Sequence, residues 1–358
     1  VFREEFTRRL APFSAIRFMD WADTNNSGAL DWADRRLPTD SIQTTGFGDN
    51  SQGGVAWELM IQLANDAGAD AWINVPHQAD DNYIRELAKL WPDNLNPDLK
   101  LIVEYSNEPW NTMFDQSKDG QADYYDVVGP RVLNISSIFR EEFAETGREL
   151  EIVLSGQSAN EYHVNRAFEY IMEQGFQPDT VIDAIAFAPY FHADADTAYA
   201  NTDELFNNVE QQIAGMVSHQ GVAESHNVKL YAYEAGQHFL SGNTGEDIIR
   251  DAQHDPRMAD AYRTFADAWN GIGGDLVMAF SVARQGNSSG YWGLLEDLRE
   301  PGSTKWDAVM DITLDRGDAN LDGVTDFDDF LILEENFGKS DMWWEQGDFD
   351  GNNSVDAE

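Results

Sequence analysis

The chain contains no cysteine, which removes disulfides, thiolate metal sites and a cysteine nucleophile from consideration. Basic residues are scarce: 23 Lys and Arg stand against 65 Asp and Glu in 358 residues, a formal net charge of −42. A field of that sign repels nucleic acid and anionic membrane and disfavours strongly acidic polymers as substrates. It suits a protein that stays soluble at high salt. No run approaches the roughly 18 apolar residues of a membrane span. A Walker loop, a dinucleotide-binding glycine fingerprint and a G-x-S-x-G elbow are also missing. His163, His219, His226, His238 and His254 have no metal-ligand spacing.

What is present is enough for a large core. Hydrophobic residues make up 42% of the chain and aromatic residues 12%, so one large α/β domain with a small appendage is expected. Strand-like runs cover residues 15–21, 70–75, 100–105, 151–155, 184–189, 229–234 and 276–282. Helical stretches fill the intervals at 54–67, 81–90, 129–146, 159–174, 202–218 and 255–270. This is the rhythm of repeated βα units. Seven strands are one short of an eightfold barrel, and the missing first strand is expected upstream of Val1, which is not an initiator methionine.

The most informative stretch is LIVEYSNEPW, residues 101–110. An apolar, β-branched run of this kind is a buried parallel strand. Pro109 cannot continue a ladder, so Glu108 is left at the rim. A second carboxylate, Glu234, ends the aromatic strand VKLYAYE. Two carboxyl groups at one barrel rim can divide the work of glycoside cleavage: one protonates the leaving oxygen, the other attacks the anomeric carbon.

On these motifs residues 1–311 resemble a clan A retaining glycoside hydrolase, in which an N-E motif after the fourth barrel strand carries the acid/base and the nucleophile follows the seventh. The resemblance implies a (β/α)8 TIM barrel, here without its first strand, with Glu108 as acid/base and Glu234 as nucleophile. It also implies that Asn107 bonds the sugar 2-hydroxyl and that Arg17 lies against the nucleophile. Tyr190 and His192 would orient the nucleophile, in a Tyr-x-His order that reverses the usual one. His77, at the end of NVPH, is a candidate subsite hydrogen bond. Trp292 in GYWG is a candidate sugar platform, since its broad apolar face matches the C–H side of a pyranose. Trp21 and Trp110, also near strand ends, are further candidates for the cleft.

Near residue 315 the texture changes. DANLDGVTDFDD, residues 318–329, has the spacing of a calcium loop: Asp318, Asn320, Asp322, the Val324 carbonyl, Asp326 and Asp329 supply oxygens, and Gly323 makes the sharp turn. A short helix follows, and Asp348, Asp350, Asn352 and Asp356 repeat the spacing, with Asn353 at the turn position. The duplicated loop, with Asp at its twelfth position and broken off in its second copy, resembles a dockerin. That resemblance implies an α-helical, EF-hand-like calcium module over residues 315–358, after a catalytic barrel over 1–314, and a cohesin-type receptor as partner.

Taken together, these readings describe an extracellular enzyme, its signal peptide lost from the sequence in hand, that needs no cofactor for catalysis. It is expected to cleave a neutral β-linked polysaccharide, with endo attack on a β-1,4-glucan favoured. The alternatives are an exo-acting arabinofuranosidase- or xylosidase-like enzyme and a non-catalytic carbohydrate-binding component.

Overall fold

The computed structural model describes residues 1–44, 54–119, 126–158, 160–287, 290–314, 317–322, 324–349 and 354–356. Seven strands form one all-parallel sheet in sequential order: β1 (Ala15–Arg17), β2 (Asp70–Val75), β3 (Leu101–Tyr105), β4 (Leu150–Ser155), β5 (Ala184–Phe187), β6 (Lys229–Ala235) and β7 (Leu276–Ala279). Six helices on the outside follow in order: α1 (Glu4–Leu10), α2 (Trp57–Ala67), α3 (Asp81–Asn94), α4 (Gln116–Asp119), α5 (Val128–Phe143) and α6 (Tyr162–Glu173). The second half carries α7 (Pro178–Val181), α8 (Thr202–Phe206), α9 (Ile213–His226), α10 (Glu246–Ala252), α11 (Pro256–Gly271), α12 (Thr304–Thr313) and, beyond the barrel, α13 (Phe327–Asn336). Local signals set the helix starts. Asp80 caps α3 by accepting from Tyr83 N at 2.7 Å, and Asp255 followed by Pro256 opens α11.

Strand alternation sorts the side chains into two layers. Ala15, Trp72, Ile102, Val153, Ala184, Tyr231, Tyr233 and Met278 fill the barrel interior, while Leu101, Val103, Leu230 and Ala232 face the helices. The sheet is nearly closed. β1 and β7 each pair on one side only, and a cavity of about 910 Å³ opens along the seam between them, lined by Phe6, Leu10, Ile16, Leu276 and Val277 and reaching Glu234. An eightfold barrel has its remaining strand at this position.

Most expected bounds shift by a few residues, and three differences have an identifiable local cause. β1 ends at Arg17 rather than at residue 21, because Ala22 N and Thr24 N turn back onto Phe18 O and Met19 O. β7 stops at Ala279, and the chain leaves the sheet as Ser281 N bonds Trp292 O. The stretch 202–218 is two helices, not one: Glu210 pairs antiparallel with His192, which takes the backbone groups a continuous helix would need.

The C-terminal segment packs on the barrel instead of trailing from it. Glu345 pairs with both Arg8 and Arg9 of α1, and Trp343 lies against Gly302. The side chains of Arg9 and Glu345 are only 4% and 8% exposed. Removing one partner leaves a buried charge uncompensated, so Glu345→Ala should lower the unfolding free energy by roughly 3 kcal/mol in urea denaturation. A loss under about 0.5 kcal/mol would mean that the pair is screened as surface pairs are.

Candidate active site

The site is assembled at the C-terminal ends of β1, β2, β3 and β6, and Arg17 is its centre. Its guanidinium donates to Glu104 Oε2 from Nε at 3.1 Å and from Nη2 at 2.9 Å, to Asn107 Oδ1 at 2.9 Å, and from Nη1 to Glu234 Oε1 at 3.0 Å. Glu104 is fully buried inside β3, and its Oε2 also accepts from Trp72 Nε1 at 3.0 Å and Asn74 Nδ2 at 2.8 Å. Burial alone would lower the guanidinium's pKa, but Glu104 and Glu234 outweigh it and hold Arg17 above its ordinary value. The arginine is a fixed cation that spans two carboxylates.

Each rim glutamate is delivered by a break in strand regularity. In β6 strict alternation would keep Tyr231, Tyr233 and residue 235 inside and turn Glu234 outward. The pairing with β7 shifts register between Ala232 and Ala235, Ala235 joins the outer layer, and Glu234 faces Arg17. A bulge commonly re-aims a side chain in this way beside a site. After β3 the chain passes through positive φ at Ser106 (55°) and Glu108 (42°), a conformation costly for residues with a Cβ and one that collects at functional sites. The turn sends both Asn107 and Glu108 toward the mouth.

The two glutamates hold different partners. Glu108 accepts from Tyr233 OH at 3.1 Å and Asn111 Nδ2 at 2.8 Å, whereas Glu234 accepts from Tyr190 OH at 2.9 Å besides Arg17. Burial pushes Glu234 up to about 7; Glu108 adds to the rise, and Arg17 and the Tyr190 hydrogen bond oppose it. Burial, reinforced by these same carboxylates, drives Tyr190 and Tyr233 well above the usual phenol range, so both remain donors. Asn107 is held in turn by Asn25 at 3.0 Å, and Gln116 bonds both Asn25 Oδ1 and Asn107 O at 2.7 Å.

Five residues expected from the sequence therefore meet: Arg17, Asn107, Glu108, Tyr190 and Glu234. The others stand apart. His192 Nε2 lies 2.7 Å from Gln212 Nε2, and of the two residues only Tyr190 reaches Glu234. His77 is buried at the end of β2, its carbonyl accepting from Arg131 at 3.3 Å. Trp292 is half-buried, stacked on His238 at 5.9 Å with the Arg284 guanidinium 4.9 Å from its ring. Trp21 packs inward among Phe2, Phe6 and Phe18, while Trp110 is half-buried beside Glu108 in the chain. The sequence reading missed Glu104, Asn74, Tyr233, Asn25, Asn111 and Gln116. Of these only Glu104 carried a signal, a charge in the middle of an otherwise apolar strand.

The C-terminal loop has the oxygen donors of a hard-cation site. Its carboxylates fold the loop on itself: Asp329 accepts from Ala319 N, Asn320 N and Asp326 N at 2.8, 3.0 and 2.8 Å, and Asp322 accepts from Val324 N at 2.9 Å. Among the described residues no three His, Asp or Glu side chains are gathered to hold a metal ion. The chemistry of the donors fits calcium. Gly323, Asp350, Asn352 and Asn353 lie outside the described residues.

No protein-family model matches the chain, and no curated protein matches its sequence. Its fold is similar to solved glycoside hydrolases. One is a family 51 α-L-arabinofuranosidase from Bifidobacterium longum, at 15% identity and a TM-score of 0.45, covering 73% of this chain and 52% of that one. Another is a family 10 endo-β-1,4-xylanase from Gloeophyllum trabeum, at 12% and 0.43, covering 72% and 79%. A third is a modular family 26 endo-β-1,4-mannanase from Cellulomonas fimi, at 10% and 0.39, covering 87% and 74%. The chain spans about half the length of the arabinofuranosidase. At these identities the likeness concerns the course of the backbone and says nothing of activity.

The elevated Glu234 has a thermodynamic signature. Its carboxyl is protonated in the native state up to about 7 but only to about 4.5 when unfolded. The stability this contributes is complete below 4.5 and is lost as pH rises through 7. Glu234→Gln, which cannot ionise, should therefore gain on the wild type in melting temperature between pH 5 and 8. A difference that does not change with pH would refute the buried, shifted carboxyl.

Proposed function

We propose that the protein is a retaining glycoside hydrolase acting on a neutral β-linked polysaccharide. One observation carries this: two glutamates at the ends of β3 and β6 sit at one barrel mouth, each held by a tyrosine hydroxyl and only one of them paired with a buried arginine. The asymmetry supports a division of roles. Glu234, beside Arg17, has a cation to stabilise its ionised form and is the nucleophile. Glu108 lacks the arginine and is the proton donor. In the first step a Glu234 oxygen bonds the anomeric carbon while Glu108 protonates the departing glycosidic oxygen. In the second, Glu108 takes a proton from water, whose oxygen displaces Glu234 and releases the sugar with its configuration kept. Asn107, fixed by Arg17 and Asn25, is the residue we assign to the 2-hydroxyl.

Endo attack on a β-1,4-glucan is the substrate reading we favour, secretion the setting. An arabinofuranosidase- or xylosidase-like enzyme would use the same pair, and oligosaccharide products separate the two: mixed lengths for endo attack, one sugar for exo. Calorimetric glycan binding with no sugar release would instead favour a binding component.

For residues 315–358 we propose a dockerin-like role: calcium held by the first loop and a cohesin-type receptor as partner. The exposed Phe327, Phe330, Leu331 and Phe337 offer apolar area for docking.

Measurements of hydrolysis, of its pH dependence and of calcium binding test these readings. Glu108→Gln should cut hydrolysis of unactivated substrate by roughly 10²–10⁴-fold and Glu234→Gln should abolish it, with proton NMR of early products showing retention in the wild type. Folded variants that keep near wild-type rates would sink the assignment, and an inverted product would replace the nucleophile with a base. Wild-type kcat/KM should climb through pH 7 on its acidic side as Glu234 ionises. Calcium titrated calorimetrically should release heat that is lost in Asp318→Ala; no heat from the folded wild type removes the calcium site.

A further inference from the structure

The loop after β7 is fixed by two buried donors. The Tyr291 carbonyl accepts from Lys305 Nζ at 2.6 Å and from Gln237 Nε2 at 2.7 Å. Lys305 lies on α12, is 5% exposed, and makes a second hydrogen bond to Gln253 Oε1 at 3.0 Å. Burial lowers its pKa to about 7, with Glu296 and Glu300 pulling the other way. An apolar side chain of similar length would avoid that desolvation, so the position is explained by the bonds the lysine makes. Gln237 is fully buried three residues after Glu234, and its Oε1 accepts from Phe239 N at 2.8 Å. One carbonyl thus ties the loop after β6 to the loop after β7.

The residues next in sequence to the two tied points are His238 and Trp292, and their rings stack 23° from parallel. On its other side His238 packs on Tyr190 at 5.2 Å, and Tyr190 donates to Glu234. Both ring contacts lie within the roughly 4.5–7 Å range of favourable aromatic pairs. Tyr190 is held by Glu234, and Trp292 by the clamp on its neighbour together with the Arg284 guanidinium and the hydrogen bond from Ser281 N to Trp292 O.

We propose that Lys305, acting with Gln237 through the Tyr291 carbonyl, is a positioning residue: it fixes Trp292 against His238 and so keeps the Tyr190 hydroxyl on Glu234. The catalytic meaning of this rests on Glu234 being the nucleophile; the positioning itself does not. A lysine that merely stabilised the fold would lower the melting temperature and leave the Glu234 carboxyl untouched.

The test is the titration of that carboxyl by carbon-13 NMR on protein labelled at the glutamate side chains, the Glu234 signal being assigned by its loss in Glu234→Gln. Arg17, Glu108, Tyr190, Tyr233 and Asp20 face or act on Glu234, and all but Tyr190 are kept in every variant. Tyr190→Phe sets the scale: losing a donor that favours the ionised form should raise the midpoint by roughly 0.5–1 in pH. Lys305→Met and Trp292→Phe, at the two ends of the clamp, should raise it in the same direction by at least half as much. An unmoved midpoint in folded Lys305→Met, or in Trp292→Phe if the former does not fold, overturns the proposal when Tyr190→Phe moves it. A midpoint that Tyr190→Phe itself leaves in place overturns it at the last link. Hydrolysis that survives in Glu234→Gln would instead remove the catalytic reading and leave the positioning result standing.

Discussion

Everything at the barrel mouth depends on where one guanidinium is held. Arg17 comes from a strand of three residues, and a strand that short cannot fix a long side chain by itself. Glu104 does so, buried in the neighbouring layer and accepting two of the arginine's bonds at one oxygen, with Trp72 and Asn74 completing the grip. A buried carboxylate with four donors is a rigid anchor, because no water competes for it and any displacement breaks several bonds together. With Arg17 fixed, Glu234 and Asn107 acquire fixed places, and the tyrosines of β6 and the β5 loop complete the set.

The arrangement also explains how two similar glutamates come to differ. Both are in one small volume, and Glu108 raises the cost of ionising Glu234. Arg17 breaks the tie by standing on one side only. Its charge is shared with Glu104, and it moderates the burial of Glu234 without cancelling it. This leaves a carboxyl whose ionisation falls near neutrality, controlled by neighbours that are themselves locked.

Much of this was legible in the sequence, for a physical reason. Strands buried on both faces read as apolar runs, and the abrupt ends at Asn107–Pro109 and at Glu234 marked the rim. Arg17 was reached through the family resemblance, not through any signal of its own. What could not be read depends on partners distant in sequence. Tyr233 looks like any aromatic strand residue until it is found 3.1 Å from Glu108, 125 positions away. Asn25 and Gln116 lie in loops with no periodicity to mark them. Trp21, at a strand end, looked like a cleft tryptophan, yet packs on the phenylalanines of α1 and its flanks. The split of the 202–218 stretch arises from a two-residue bridge to His192, which amphipathic spacing does not record. For the C-terminal segment the sequence spelled out the loop but not its attachment, since Arg8 and Glu345 stand at opposite ends of the chain.

The register shift in β6 has a consequence for how such a site can arise or be lost. Which way Glu234 points is set by a count of residues between Ala232 and Ala235, not by the identity of any one of them. Three steps along β6 match two along β7 there; pairing the same residues in plain alternation, without that extra step, would carry the carboxylate to the helix side of the sheet, with every strand still able to form. The chemistry at this mouth is thus written partly in spacing: a one-residue slip of pairing beyond Ala232 would lose the site with every named side chain intact.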